Sequence, residues 1–462
     1  MSVVSYHKTK KKNRNGNGNG NGNGNGWIQL TVSGTPFERG FSHGSALKES
    51  LLQMKKMFAF YVREELGITA KKYYSICSSI IVPKIKSFMN GEFWEEMCGI
   101  AKGCGLPVLF IVGVNSLLSL YEYVENNLGL GEGKGLDDNK LQKQKKKRTR
   151  CSAFIATGDG ITKDGKIIMA HNTHTDYMIS QFQNIILRII PEEGRGHPFV
   201  MQTMAGCVAS GLDWFICSNG MIGCETTIAD VNYKVDLDLD FDGSGIPYFL
   251  RIRKAMQYGS GLQDFKEIML QNNAGDYPCS WLFGDCRTGE IAILELGLEL
   301  FDWKVADRGI FYSMNIANNI RLRERETNDR SLNDLGTTSG SRNSRFEELL
   351  QNKYLGVIDI GNAKRIIADH YDTSLNRFSV GELGICNHAE CSGDFRPYGS
   401  TDGKVVSTDL AMNGMQFWGI FGHPCGMPFI AKKYFKSGRG DEFIRWKPYL
   451  KDLRKGKWKL LG

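Results

Sequence analysis

No apolar run in this sequence is long enough to span a bilayer. The longest, from Leu106 to Tyr121, falls short of the roughly 20 residues that a spanning helix needs. It is also interrupted by Gly113, Asn115 and Ser116, and so reads as a buried helix. The first 26 residues lack the apolar centre of a secretory signal: they are basic, then polar, then a repeated Asn-Gly tract, and a cytoplasmic protein is the expectation. No Asn-x-Ser/Thr acceptor occurs anywhere in this Asn-rich chain, which weighs against a lysosomal or secreted one. The 12 cysteines are spread over 462 residues, so buried free thiols are expected rather than a disulfide framework.

A basic excess is also missing where a nucleic acid would need it. The net charge is +8, but Lys8, Lys10, Lys11, Lys12 and Arg14 fall in the leader, and Lys140, Lys143, Lys145, Lys146, Lys147, Arg148 and Arg150 fall in one stretch. With those 12 charges removed from +8 the rest of the chain stands at −4. The body therefore offers no surplus to neutralise phosphates, and no nucleic-acid partner is expected. The two basic runs read as solvated segments.

What is present is an ordinary globular composition, 41% apolar, 11% aromatic and 23% charged. Residues 1–26 read as a disordered basic and Asn-Gly leader. Residues 27–128 read as a mainly helical section opened by the alternating strand Trp27–Val32. Residues 129–150, rich in Gly, Asp, Lys and Gln, read as an exposed basic loop. From 151 to 462 the pattern becomes strand-rich. Cys151–Ala156, Lys166–Ala170, Phe199–Met204, Trp214–Cys217, Met221–Thr227, Trp281–Gly284 and Ile291–Leu296 alternate with helical patterns near 248–272, 344–353 and 361–371. That alternation argues an α+β protein with stacked sheets. Beyond the Asn-Gly tract, no repeat of fixed period is present.

Cys151 opens a strand directly after the polar loop, where a new chain terminus could form without disturbing a core. Were the Arg150–Cys151 bond cut, the freed α-amine, with a reference pKa of about 7.7–8.0, could act as base for the thiol beside it. By position alone the better reading of Cys151 is a buried strand cysteine. Weaker signals fail on their own terms. Asp238-x-Asp240-x-Asp242-Gly243 begins like a calcium loop but has Phe249 where the bidentate Glu belongs. Cys386-x-His388-x-x-Cys391 has ligand types without a second pair, so structural cysteines are expected and no metal. Gly129–Gly135 lacks the context of a phosphate loop.

Several stretches resemble one family. Gly34-Thr35-Pro36-Phe37-Glu38-Arg39-Gly40-Phe41-Ser42-His43-Gly44, Glu95–Leu106, Gly284–Glu295 and Gly422-His423-Pro424-Cys425-Gly426 resemble, in order, the acyl-coenzyme A:6-aminopenicillanic acid acyltransferase-like family of N-terminal-nucleophile hydrolases. His171-Asn172-Thr173 and Glu225-Thr226-Thr227-Ile228 resemble pieces of the phospholipase B-like proteins of the same superfamily. The resemblance covers most of Gly34 to Phe429. It implies a four-layer αββα sandwich, self-cleavage between Arg150 and Cys151, and attack by Cys151 on an acyl amide or ester through a thioester.

Carried over residue by residue, Cys151 matches the nucleophile. Asn219 resembles an oxyanion-hole asparagine, although alone it reads as an Asn-Gly turn residue. Asn315 resembles the second polar residue of the pocket, with Asn318 as the competing choice. Arg345 resembles the arginine that bile-salt and penicillin amidases hold near the nucleophile, or else it is a helix-start residue. Those amidases carry an arginine and an aspartate where this sequence has His171 and His174 in Ala170-His171-Asn172-Thr173-His174. His171 is expected to hydrogen-bond the amine or thiol, and Asp176 could supply the carboxylate instead. The expected partners are a small acyl-amide or lipid substrate and the chain's own cleaved N-terminal fragment. No cofactor is required, unless coenzyme A thioesters serve as acyl donors. The alternatives are a phospholipase B-like lipid deacylase and a non-catalytic relative whose basic segments recruit an acidic partner.

Overall fold

The computed structural model describes residues 5–8, 26–127, 151–212, 214–232, 244–392 and 395–462. Most of the leader, the loop 129–150 including Arg150, and the Asp238–Gly243 stretch lie outside the described residues. The chain is a mixed α+β protein. No helix among the described residues is long and apolar enough to cross a membrane.

Two large sheets carry the fold. The first has nine strands: β1 (Ser5–Lys8), β2 (Ile28–Gly34), β5 (Ile185–Pro191), β6 (Phe199–Thr203), β7 (Trp214–Cys217), β8 (Met221–Thr227), β9 (Cys279–Asp285), β10 (Glu290–Leu296) and β11 (Phe301–Ala306), in that spatial order. All its pairings are antiparallel except β2 with β5. The second sheet runs β12 (Gly309–Ser313), β3 (Cys151–Thr157), β4 (Ile168–Asp176), β16 (Asp402–Ser407), β17 (Phe417–Phe421), β18 (Lys459–Leu461), and β15 (Tyr398–Ser400) pairs with the end of β4. A two-stranded ribbon, β13 (Tyr371–Asp372) with β14 (Arg377–Phe378), stands apart.

The register of β3 on β4 decides what faces what. Cys151 lies across from Thr173, Ser152 from Asn172 and Ala153 from His171. Because successive side chains point to opposite faces, Cys151, Ala153, His171 and Thr173 share one face, and Ser152, Phe154, Asn172 and His174 share the other. The apolar residues follow the same rule. Ala153 and Ile155 pack with Ile222, Leu282 and Ile293 of the nine-stranded sheet. Phe154 and Ala156 pack with Phe346, Leu349 and Ile366 of the helical segments after residue 337.

The helical section 36–127 packs on residues such as Leu187, Met201 and Phe283 of the nine-stranded sheet. Thr35 opens helix Pro36–Ala46 with a capping box: its hydroxyl accepts from the Glu38 N–H, and Glu38 reaches back to the Thr35 N–H. This helix lies unusually close to helix Glu92–Cys104. A Cβ on Gly40 would sit 1.9 Å from the Glu96 carbonyl oxygen, and one on Gly99 2.2 Å from that of Phe37. Gly44 and Gly103 are equally tight, at 2.1 and 2.3 Å. Glycines at four-residue spacing on both helices are what this crossing requires. Within it, Arg39 reaches Glu92 at 3.1 Å and Glu96 at 2.8 Å, and Glu96 also receives Arg253 at 2.9 Å. The stretches Gly34–Gly44 and Glu95–Leu106 thus build the helical scaffold.

The apolar run Leu106–Tyr121 forms two helices, Val108–Asn115 and Leu117–Asn127, rather than one. At the break, buried Asn115 donates to the carbonyls of Ile111 and Gly206 and accepts from the Val208 N–H.

Candidate functional site

Cys151 is the first residue of β3 and only 2% exposed. Its backbone N–H donates to Asn315 Oδ1 at 3.0 Å. Asn315 follows β12 with φ 78°, a left-handed conformation that Asn tolerates better than most residues. Its Nδ2 donates to the Thr227 carbonyl, and its own carbonyl accepts from the Ala229 N–H, so the side chain is fixed between the ends of β8 and β12.

Arg342 approaches from the helix Thr338–Glu348. Its Nη1 donates to the Cys151 carbonyl at 2.6 Å and to Ser152 Oγ at 2.9 Å. Its Nη2 donates to the Met314 carbonyl at 2.9 Å and to Asn315 Oδ1 at 3.1 Å. The guanidinium is fully buried, and no carboxylate among the described residues pairs with it. Burial pulls it down to about 10, partly offset by the nearby Tyr398 and Cys151 side chains.

On the Cys151 face, Thr173 Oγ1 accepts from Lys404 Nζ at 2.8 Å. Lys404 is buried and paired with Asp402 Oδ1 at 2.9 Å, and Asp402 also accepts from the Thr173 N–H and from Gln202. This second cation is therefore neutralised where it stands. His171, across from Lys404 in the sheet, meets the Glu225 carbonyl through Nε2 at 2.9 Å, and its Nδ1 is buried without a hydrogen-bond partner. Burial, and then the charge of Lys404, push its pKa well below the ordinary value, so it is a neutral ring that donates from Nε2.

The remaining expected residues sit elsewhere or do other work. Asn172 accepts from the Ser152 N–H and donates to the carbonyls of Ile367 and Ile385, tying β4 to the chain behind it. His174 points to the same side, bonds the Ile385 carbonyl at 3.2 Å, and is kept neutral by burial and by Arg342. Asp176 is engaged by Arg396 Nε at 2.9 Å, three residues beyond Thr173, roughly 10 Å along the strand. Asn219 lies in the turn before β8, whose Thr227 end meets Asn315. It donates to the Gly259 carbonyl and accepts from the Met221 N–H, roughly 20 Å of strand away from Cys151. Asn318 braces Glu295 through its backbone N–H and borders a cavity of about 170 Å³ along β10–β12 whose lining does not include Cys151.

The guanidinium beside Cys151 is that of Arg342, not Arg345. Arg345, one helical turn on, is held by Asp369 at 2.8 Å and Glu348 at 2.7 Å and lies over the Tyr371 ring. Both arginines lie on the helix Thr338–Glu348. The usable signal was the stripe Arg342, Phe346, Leu349, at i, i+4, i+7, whose two apolar members are buried against β3. Asp402 and Lys404 carried no sequence signal of their own, because their partners Thr173 and Gln202 are some 200 residues away.

The Cys386-x-His388-x-x-Cys391 spacing does not act as a unit. Cys391 is exposed, whereas His370 and Cys425 close on Cys386 and His388.

No family model and no curated protein matches this chain. Among solved structures, the Caenorhabditis elegans N-acylethanolamine-hydrolyzing acid amidase ortholog is similar at 9% identity and a TM-score of 0.34. The match covers 56% of this chain and 94% of that one, and at that score it assigns neither fold nor activity.

Proposed function

We propose that this chain is a cysteine N-terminal-nucleophile hydrolase or acyltransferase, cut between Arg150 and Cys151, that acts on an acyl amide or ester through a Cys151 thioester. The carrying observation is the pair of contacts at Cys151. Asn315 Oδ1 holds its nitrogen, and Arg342, a buried cation with no carboxylate partner among the described residues, holds its carbonyl. The alternation of β3 between two apolar clusters, with the helical section 36–127 behind the nine-stranded sheet, supports the finer reading of the fold as a four-layer αββα sandwich.

In the cut, Cys151 Sγ attacks the Arg150 carbonyl carbon, and the Arg150–Cys151 C–N bond breaks as the nitrogen takes a proton. Water then opens the resulting thioester to leave an Arg150 carboxylate, a free thiol and a free α-amine. In turnover that amine, oriented by Asn315 Oδ1, takes the thiol proton, and Sγ attacks the substrate carbonyl. The leaving amine or alcohol departs with a proton, and water or an acceptor amine releases the acyl group from sulfur. Arg342 favours the thiolate by charge, the role the resemblance gave to Arg345. His171, neutral and anchored on Glu225, positions β4 rather than supplying charge.

A lipid deacylase is the second reading. It is favoured because the two stretches with phospholipase B-like character meet at this site, His171 on the Glu225 carbonyl and Thr227 on Asn315.

The test is a trapped intermediate. Short incubation with an N-acyl amino acid or a lysophospholipid, followed by acid quench and peptide mass analysis, should find the acyl mass on Cys151 with one of the two. Cys151→Ala should carry none. An acyl mass on another residue, or no acylation with turnover intact, would overturn the thioester mechanism. A chain that neither turns over nor labels is the non-catalytic relative.

A further inference from the structure

A second cluster of reactive side chains lies outside the Cys151 site. His370, Cys386, His388 and Cys425 each offer one ligand atom, and the four atoms all lie within 4.8 Å of one another. Three separate segments bring them together. His370 follows the helix Ile360–Ile366, Cys386 and His388 lie on the loop before β15, and Cys425 lies in the turn after β17. The backbone holds these segments in place without help from the cluster: the Cys386 N–H donates to the Asp369 carbonyl, His388 bridges to Gly399, and the Gly426 N–H donates to the His423 carbonyl.

The side chains are arranged as ligands. Cys386 Sγ and Cys425 Sγ each lie 3.5 Å from His388 Nε2, so both sulfurs converge on one ring nitrogen. His370 Nε2 is buried without a hydrogen-bond partner. The Met427 N–H donates to Cys425 Sγ at 3.4 Å, a contact that suits a thiolate. The other nitrogen of His388, Nδ1, meets Glu390 Oε1 at 3.2 Å, and Glu390 in turn accepts from the Tyr177 hydroxyl at 2.6 Å. A carboxylate on the far side of an imidazole fixes which nitrogen faces a metal and raises its basicity.

We propose that His370 Nε2, Cys386 Sγ, His388 Nε2 and Cys425 Sγ form a tetrahedral structural zinc site, with Glu390 as the outer partner of His388. Two thiolates and two imidazoles select zinc over the hard cations. Four protein ligands leave no open position for water, so the ion holds structure rather than reacting. Drawing ligand atoms now up to 4.8 Å apart onto bonds of about 2.0–2.3 Å needs only a small contraction. What the ion would brace is specific. Residue 385, next to Cys386, supplies the carbonyl that Asn172 and His174 of β4 both bind. The site thus pins the loop that backs the strand opposite Cys151. It depends on no assumption about the nucleophile, and Cys151→Ala should bind the same ion.

The test uses the full chain purified without chelator. Elemental analysis should find about one zinc per chain. After exchange for cobalt, the protein should show the visible bands of a tetrahedral site and a near-ultraviolet thiolate-to-cobalt band. Cys425→Ser, at a half-buried turn, should lose the metal and the thiolate band, and Cys391→Ser, an exposed neighbour, should keep both. Chelation should lower the melting temperature of wild type and expose the 369–391 backbone to hydrogen exchange. Folded wild type with less than about a tenth of an equivalent of zinc would overturn the proposal. So would a Cys425→Ser variant that keeps its full zinc, which points instead to His388, Glu390 and His423. A Cys386–Cys425 disulfide in the non-reduced peptide map would also overturn it.

Discussion

Two buried arginine clusters set the scaffold of this molecule apart from its candidate chemistry. In the helical section, Arg39 and Arg253 converge on Glu96, with Glu92 on the flank, and each cation has a carboxylate within 3.1 Å. At Cys151, Arg342 is as deeply buried and among the described residues meets carbonyls, a hydroxyl and an amide oxygen but no carboxylate. A buried charge without a counter-charge costs several kcal/mol and is seldom kept without use, whereas a balanced cluster is chiefly architecture. In the proposed mechanism the Cys151 thiolate would supply the anion that Arg342 lacks among the described residues.

The largest expected effect falls on the balanced cluster. Glu96→Gln leaves two buried guanidinium groups short of charge and should cost about 3–5 kcal/mol in denaturant unfolding. Burial alone would raise Glu96, but Arg253 and Arg39 hold it below its ordinary 4.5. A carboxylate depressed in the folded state stabilises fully above its unfolded value, and that stability is lost as pH falls through the lower folded one. The acid limb of the stability curve should therefore flatten in Glu96→Gln.

Arg342→Met breaks no carboxylate pair among the described residues, so it should cost less stability, about 1–3 kcal/mol from the orphaned carbonyls and Asn315. It should, however, raise the apparent pKa of Cys151 and slow its alkylation by iodoacetamide at neutral pH roughly tenfold or more. Equal alkylation profiles in the variant and wild type would remove Arg342 from the site. Arg345→Ala, whose charge is already met by Asp369 and Glu348, should leave that profile unchanged.

The smallest effect is expected at Asn219. As a turn residue on the Gly259 carbonyl, Asn219→Ala should change turnover less than about twofold. An oxyanion donor would instead cost about a hundredfold to a thousandfold, and a loss of that size would return Asn219 to the site.

Much of the fold was legible because local pattern and tertiary pairing agree. Trp214–Cys217 and Met221–Thr227 are strands with the boundaries their alternation predicts. Cys151 is the first residue of a buried strand, as its place after a polar loop implied. Other features failed for identifiable reasons. Ser5–Lys8 pairs with β2 within a leader whose composition argued for disorder, because pairing to an existing edge needs no apolar face. The run Leu106–Tyr121 broke at Asn115 because its amide serves Gly206 and Val208, contacts that no local window contains. Arg342 and Arg345 share a motif and differ by one helical turn, so only the carboxylates at 348 and 369 tell them apart. The Cys386–His388 pair looked incomplete because its partners lie 16 residues before and 37 after it.

The central claim is that Cys151 becomes a chain terminus. Intact mass of the purified wild-type chain over time tests it most directly. The account predicts two polypeptides of 150 and 312 residues, the second beginning Cys-Ser, while Cys151→Ala stays at 462. A wild-type chain that remains a single 462-residue polypeptide after prolonged incubation, or one cut at another bond, would contradict it.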